Sequence, residues 1–196
     1  MRSCLRPAIC VAALLSMSTS WATVAWDESS DGDLSNDPLA PTPLTFVAGP
    51  NIITGNMGGQ DDPRDFLTFS IASGQALDGL TLLTYEGDDI VGFHAINAGP
   101  TSFIPGGDTA DEFLGGNHLY LWDAGSDVLP QLAQFPLAGS GFEIPLGEGT
   151  YSYVVQQTGA ADTRYSLEFS VVPVPAAAWL FASALGLLGW IRRSSR

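Results

Sequence analysis

The stretch RYSLEFSV, residues 164–171, alternates without a break. Tyr165, Leu167, Phe169 and Val171 fall on one side, and Arg164, Ser166, Glu168 and Ser170 on the other. A period of two places successive side chains on opposite faces of an extended strand, whereas a helix would scatter those apolar groups around its axis. One apolar face and one polar face describe a half-buried strand in an antiparallel sheet. DFLTFSIA repeats the pattern, with Leu67, Phe69 and Ile71 set against Thr68 and Ser70. Further candidate strands lie at 44–48, 51–57, 77–85, 90–96, 117–123, 141–146 and 150–157. Clusters of Gly, Pro, Asn and Asp separate them, and no helical period emerges before residue 176. Short strands punctuated in this way predict an all-β fold, an antiparallel β-sandwich or jelly roll. TGAADT, between TYSYVVQQ and RYSLEFSV, is expected to close a hairpin.

The two ends of the chain differ from this middle. Arg2 and Arg6 precede an apolar stretch around Ile9 to Leu15, and Ser20-Trp21-Ala22 follows with small residues flanking a large one. That order predicts a secretory signal peptide over residues 1–22, helical while it lasts. The apolar run is too short for a membrane anchor. Cys4 and Cys10 both lie in this segment, so the exported domain is expected to fold without disulfides, on its core and any bound metal. Residues 23–43 carry Asp27, Glu28, Asp31, Asp33 and Asp37 among few apolar groups and are expected to form an extended, loosely held lead-in. The sandwich is assigned to 44–172, and a C-terminal segment to 173–196.

Charge narrows the choice of partner. The net charge is −14, the chain has no lysine, and between the two ends only Arg64 and Arg164 stand against all 21 acidic residues. Such a field repels phosphate backbones, which excludes nucleic acid as a partner class. It leaves carboxylates in search of cations.

The C-terminal segment begins Val172-Pro173-Val174-Pro175-Ala176. It continues through residues 176–191 without a charge, and ends in an arginine cluster that includes Arg192 and Arg193. The uncharged run is short for a spanning helix but within reach of a thin bilayer, and the arginines that follow it would stay cytoplasmic. Its bulky apolar residues surround the helical wheel, which speaks against a half-buried soluble helix. Prolines 173 and 175 separate helix from strand. This three-part order resembles the PEP-CTERM class of bacterial sorting signals, in the variant whose core reads Val-Pro-Leu-Pro-Ala; Val174 replaces the usual Leu. The resemblance implies an exosortase-type membrane protease as partner and a Gram-negative envelope as address. It also implies transient membrane anchoring and an association with exopolysaccharide.

A second resemblance covers roughly residues 51–171. Asp65-Phe66-Leu67-Thr68-Phe69, Ser73-Gly74-Gln75, Gly149-Thr150-Tyr151 and Tyr165-Ser166-Leu167 are similar to the bacterial pre-peptidase C-terminal domain, with an irregular insertion at 97–116. That resemblance implies a β-sandwich accessory unit that binds or assists folding and carries no catalytic site.

Three residue groups are candidates for chemistry. His94 and His118 are the two imidazoles. No Gly-x-Ser-x-Gly elbow, phosphate loop or dinucleotide fingerprint accompanies them, nor does zinc-ligand spacing. His94 shares a strand face with Ile90 and Ile96, so a semi-buried histidine is expected. Calcium is the one cofactor with candidate ligands. In DESSDGDLSNDP, Asp27, Asp31 and Gly32 fit positions one, five and six of an EF-hand loop, but Pro38 stands where the bidentate Glu is needed. A looser oxygen cage from Asp27, Asp31 and Asp33, or from Asp61, Asp62 and Asp65, competes with plain solvated loops. Asp88 with Asp89, and Asp108 with Asp111 and Glu112, are weaker sets of the same kind. Finally, NHLYLWDAG places His118, Tyr120 and Trp122 on one face of a strand and Leu119 and Leu121 on the other. An outward row would suit stacking on sugar rings. Large aromatics are usually buried, which makes core the expectation.

The sequence therefore points to an exported, non-enzymatic surface or matrix protein that associates with exopolysaccharide. The rival is a secreted hydrolase, which a histidine clustered with carboxylates in an open cleft would favour.

Overall fold

A computed structural model describes residues 21–58, 61–104, 112–157, 159 and 162–174. The signal peptide up to residue 20 and everything from Pro175 onward lie outside the described residues. So do Asp108, Asp111 and, within the sorting motif, Pro175, Ala176, Arg192 and Arg193. Among the described residues no helix is long and apolar enough to cross a membrane.

The described residues form an all-β fold, with nine strands in two sheets. The strands are β1 (Thr23–Asp27), β2 (Thr42–Pro43), β3 (Gly49–Met57), β4 (Arg64–Ile71), β5 (Gln75–Gly87), β6 (Val91–Ala98), β7 (Gly115–Tyr120), β8 (Gly149–Gln156) and β9 (Thr163–Pro173). One sheet has the order β1-β3-β9-β5 and the other β2-β4-β8-β6-β7. Pairing is antiparallel in both interiors. At one edge of each sheet it is parallel, where β1 joins β3 and β2 joins β4.

The alternation that suggests a strand at 164–171 has its expected consequence. Tyr165, Leu167, Phe169 and Val171 are buried, and they meet Leu67, Phe69, Ile71, Tyr153 and Val155 of the opposite sheet in one apolar cluster. Phe169 packs edge-on against Phe69 and Tyr153, with ring centroids 5.5 and 5.3 Å apart. A smaller cluster of Phe66, Ala95, Phe113 and Val154 covers the outer face of the second sheet. Its Phe113 comes from the 97–116 insertion. That is why β8 is buried on both faces.

Five expectations fail, each for a physical reason. The lead-in is built into the fold. It supplies both parallel edge strands, buries Leu34, and bonds Phe66 N–H to Ser35 C=O at 2.8 Å. Strand formation therefore begins at residue 23 rather than 44. The hairpin at TGAADT does not form, because β8 lies between β4 and β6 in one sheet while β9 lies between β3 and β5 in the other. The connection crosses from sheet to sheet. The stretch 44–48 is irregular and ends in a bend, held by the buried Asn51 side chain, whose amide donates to the carbonyls of Val47 and Gly49 at 2.9 Å each. The stretch 141–146 is broken by Pro145 and joins a sheet only through a bridge from Leu146 to Leu77. A helix, α2 (Leu129–Gln134), does precede residue 176. It buries Leu129, Leu132 and Ala133, and six residues are too few to register as a period.

Candidate functional site

β1 delivers the chain into α1, a single turn over Glu28–Asp31. Asp27 caps that turn, accepting from Ser29 N–H at 3.0 Å and from Ser29 Oγ–H at 2.7 Å. Those bonds, the side-chain one foremost, hold its carboxyl below the usual range. Asp31 accepts from the backbone N–H of Asp27 at 2.9 Å. Both residues thus shape the turn. The next carboxylate, Glu28, points inward. Its two oxygens accept from Leu34 N–H at 2.9 Å and Asn56 N–H at 2.6 Å, tying the lead-in to β3.

Asp65 lies opposite, at the start of β4. Alternation places it on the same face as Leu67, Phe69 and Ile71, and it is fully buried. Tyr165 of β9 donates its hydroxyl to Asp65 Oδ2 at 2.8 Å. Gly55 of β3 makes this reach possible, since a Cβ there would collide with the Tyr165 ring. The other oxygen, Asp65 Oδ1, is buried with no hydrogen-bond partner.

Glu28, Asp33 and Asp65 each bring a carboxylate oxygen within 4.8 Å of the others. Asp62 stands beside them, accepting from Asn36 Nδ2–H at 2.9 Å. Burial foremost, and then its acidic neighbours Glu28, Asp62 and Asp33, push the Asp65 carboxyl well above its ordinary range. Burial likewise raises Glu28 and Asp62. Burial also holds the Tyr165 phenol protonated, so it remains a donor. Above the cluster opens a recess of about 780 Å³ whose walls include Asp27, Glu28, Asp33, Asp62, Glu86 and Asp162, with Arg164 at its side.

Of the metal candidates read from sequence, then, Asp33 and Asp65 meet, Asp62 flanks them, and Asp27 and Asp31 serve the helix cap. Asp61 is exposed. Sequence reasoning passed over Glu28. A legible signal was Asp65 itself, an acid on the apolar face of its strand.

The aromatic row faces outward, contrary to the core expectation. Leu119 is buried, and a 3-10 turn over Leu121–Asp123 ends the alternation after Tyr120. Trp122 is 63% exposed. Its ring stacks on Tyr120 at 4.6 Å and 11°, and Tyr120 Oη lies 3.2 Å from Nδ1 of the exposed His118.

His94 is not semi-buried but sealed, and it faces the core without Ile90, which precedes β6 and is exposed. Its Nδ1 lies 2.8 Å from Tyr153 Oη. Burial lowers its pKa to about 3, so the ring is neutral.

A scan against protein-family models gives no match, and a search of curated proteins likewise finds none similar to this chain.

Proposed function

We propose that this chain is an exported, non-enzymatic module of the bacterial surface or extracellular matrix, with the two sheets forming a β-sandwich that binds exopolysaccharide. Residues 1–22 direct export. The segment from Val172 to the terminal arginines serves as the sorting signal for an exosortase-type protease. It anchors the protein transiently through 176–191. The three-part order of that tail supports the address.

The exposed stack of Tyr120 and Trp122 beside His118 carries the binding part of the reading. The stacked pair still leaves an indole face in water, apolar exposure that the fold itself does not use. Such a platform suits the apolar face of a sugar ring, with His118 and Tyr120 supplying hydrogen-bonding atoms at its edge. The histidines lend no support to the hydrolase alternative: the imidazole hydrogen bonds of His94 and His118 run to tyrosines.

Retention of the protein on exopolysaccharide from a producing bacterium tests the proposal. Trp122→Ala should reduce retention at least tenfold, with an unchanged thermal midpoint. Equal retention of wild type and variant would remove the glycan reading.

A further inference from the structure

We propose that Glu28, Asp33 and Asp65 form a calcium site that staples the N-terminal segment to the second sheet. The reading is independent of how the tail is sorted or what the aromatic row binds.

Three observations converge. Oxygens that bind one calcium ion at 2.3–2.6 Å lie no more than about 5 Å apart, and the three carboxylates place theirs within 4.8 Å. Second, Asp65 Oδ1 is buried and unpartnered. A buried carboxylate oxygen without a donor is strongly disfavoured, and acidic neighbours deepen the penalty. Tyr165 satisfies the other oxygen, so the open valence belongs to a carboxylate that already lies within 4.8 Å of two others. Third, the fold holds the acids together by bonds that leave acceptor capacity free. Each Glu28 oxygen accepts one backbone N–H, while a carboxylate oxygen has two lone pairs. A doubly charged cation supplies what the arrangement lacks.

The donor set selects the ion. All three ligands are carboxylates, and no nitrogen or sulfur ligand belongs to the cluster, which suits a hard cation. Calcium accepts irregular, carboxylate-rich cages, whereas magnesium demands a regular octahedron and sheds its waters reluctantly. The topology then gives the ion a task. Glu28 opens α1 and Asp33 follows it, between edge strands β1 and β2, and Asp65 belongs to β4. An ion shared by all three fixes the lead-in, with its buried Leu34, onto the opposite sheet.

The test uses the full chain in mild detergent, stripped with chelator and then titrated with calcium chloride. Calorimetry should report a saturable site, and the thermal midpoint should rise by about 5–10 °C at a hundredfold excess over Kd. Asp65→Asn and Asp33→Asn should each abolish the rise. In chelator Asp65→Asn should melt no lower than wild type, because its amide still accepts from Tyr165 and offers N–H groups to the neighbouring carboxylates. An equal concentration of magnesium should give a smaller rise. A wild-type curve unmoved by calcium, a full rise in Asp65→Asn, or a larger rise with magnesium would each overturn the proposal.

Discussion

Asp65 and His94 stand level with Val155 of β8, one on β4 and the other on β6. Both face the core, both are fully buried, and each meets the hydroxyl of a buried tyrosine at 2.8 Å. Each also has one atom without a partner, Oδ1 in Asp65 and Nε2 in His94. The resemblance ends with their surroundings. Burial alone acts on His94, and the imidazole answers by remaining neutral. Asp65 faces three further carboxylates, beneath an open recess. An unpartnered atom in apolar surroundings is tolerated packing; one on a carboxylate set among converging charges is half of a site.

Acidification separates the two regions most strongly. The folded pKa of His94, about 3, lies below the unfolded value of 6.5. The unfolded chain therefore binds the extra proton, and stability falls as pH drops from 6.5 toward 3. At about 1.36 kcal/mol per pKa unit the loss is roughly 3 kcal/mol by pH 4. The carboxyls of Glu28, Asp62 and Asp65 have the opposite sign. Their folded values lie above the unfolded ones, so the fold binds protons first and gains stability as pH falls through those folded values. Beside Asp65 the charged or titratable groups are Glu28, Asp33, Asp62 and Tyr165; beside His94 it is Tyr153. Urea midpoints measured in chelator across pH 4–7 should show wild type losing stability relative to His94→Gln as pH falls, since the carboxyl contribution is common to both. Parallel curves would mean that His94 does not control the acid limb.

A smaller effect comes from the tyrosines. Tyr165→Phe leaves both oxygens of Asp65 without a donor, and should cost about 1–3 kcal/mol in chelator. Calcium should recover much of that loss. Tyr153→Phe removes the partner of His94 at similar cost, and calcium should recover none of it. Urea denaturation of the two variants with and without calcium makes the comparison, and equal recovery in both would erase the distinction between the regions.

How much of this was legible beforehand follows from the range of each interaction. Period two in 164–171 and 65–72 is a local signal, and it identified strands and their buried faces correctly. Sheet membership is not local. TGAADT has the composition of a hairpin turn, but β8 and β9 each already have two neighbours within their own sheets, so the chain must cross between layers. The lead-in read as loose because five acids stand among few apolar residues; its place depends on Leu34 and on Glu28 reaching Asn56 N–H, 28 residues away. Trp122 read as core because large aromatics are usually buried; alternation alone left both faces open, and the backbone turns at Leu121. Asp65 stood among the candidate ligands, and as an acid on an apolar strand face it differs from the others. Glu28 could not be singled out, because nothing in its neighbourhood distinguishes it from Asp27 or Asp31.

The central claim is that the orphaned oxygen of Asp65 is completed by a cation, and a crystal structure of the chain grown in millimolar calcium addresses it directly. The account predicts a density peak with anomalous signal, coordinated at about 2.3–2.6 Å by Asp65 Oδ1 and by oxygens of Glu28 and Asp33. A protonated Asp65 with no such peak, or calcium bound elsewhere while these three carboxylates stay bare, would contradict it.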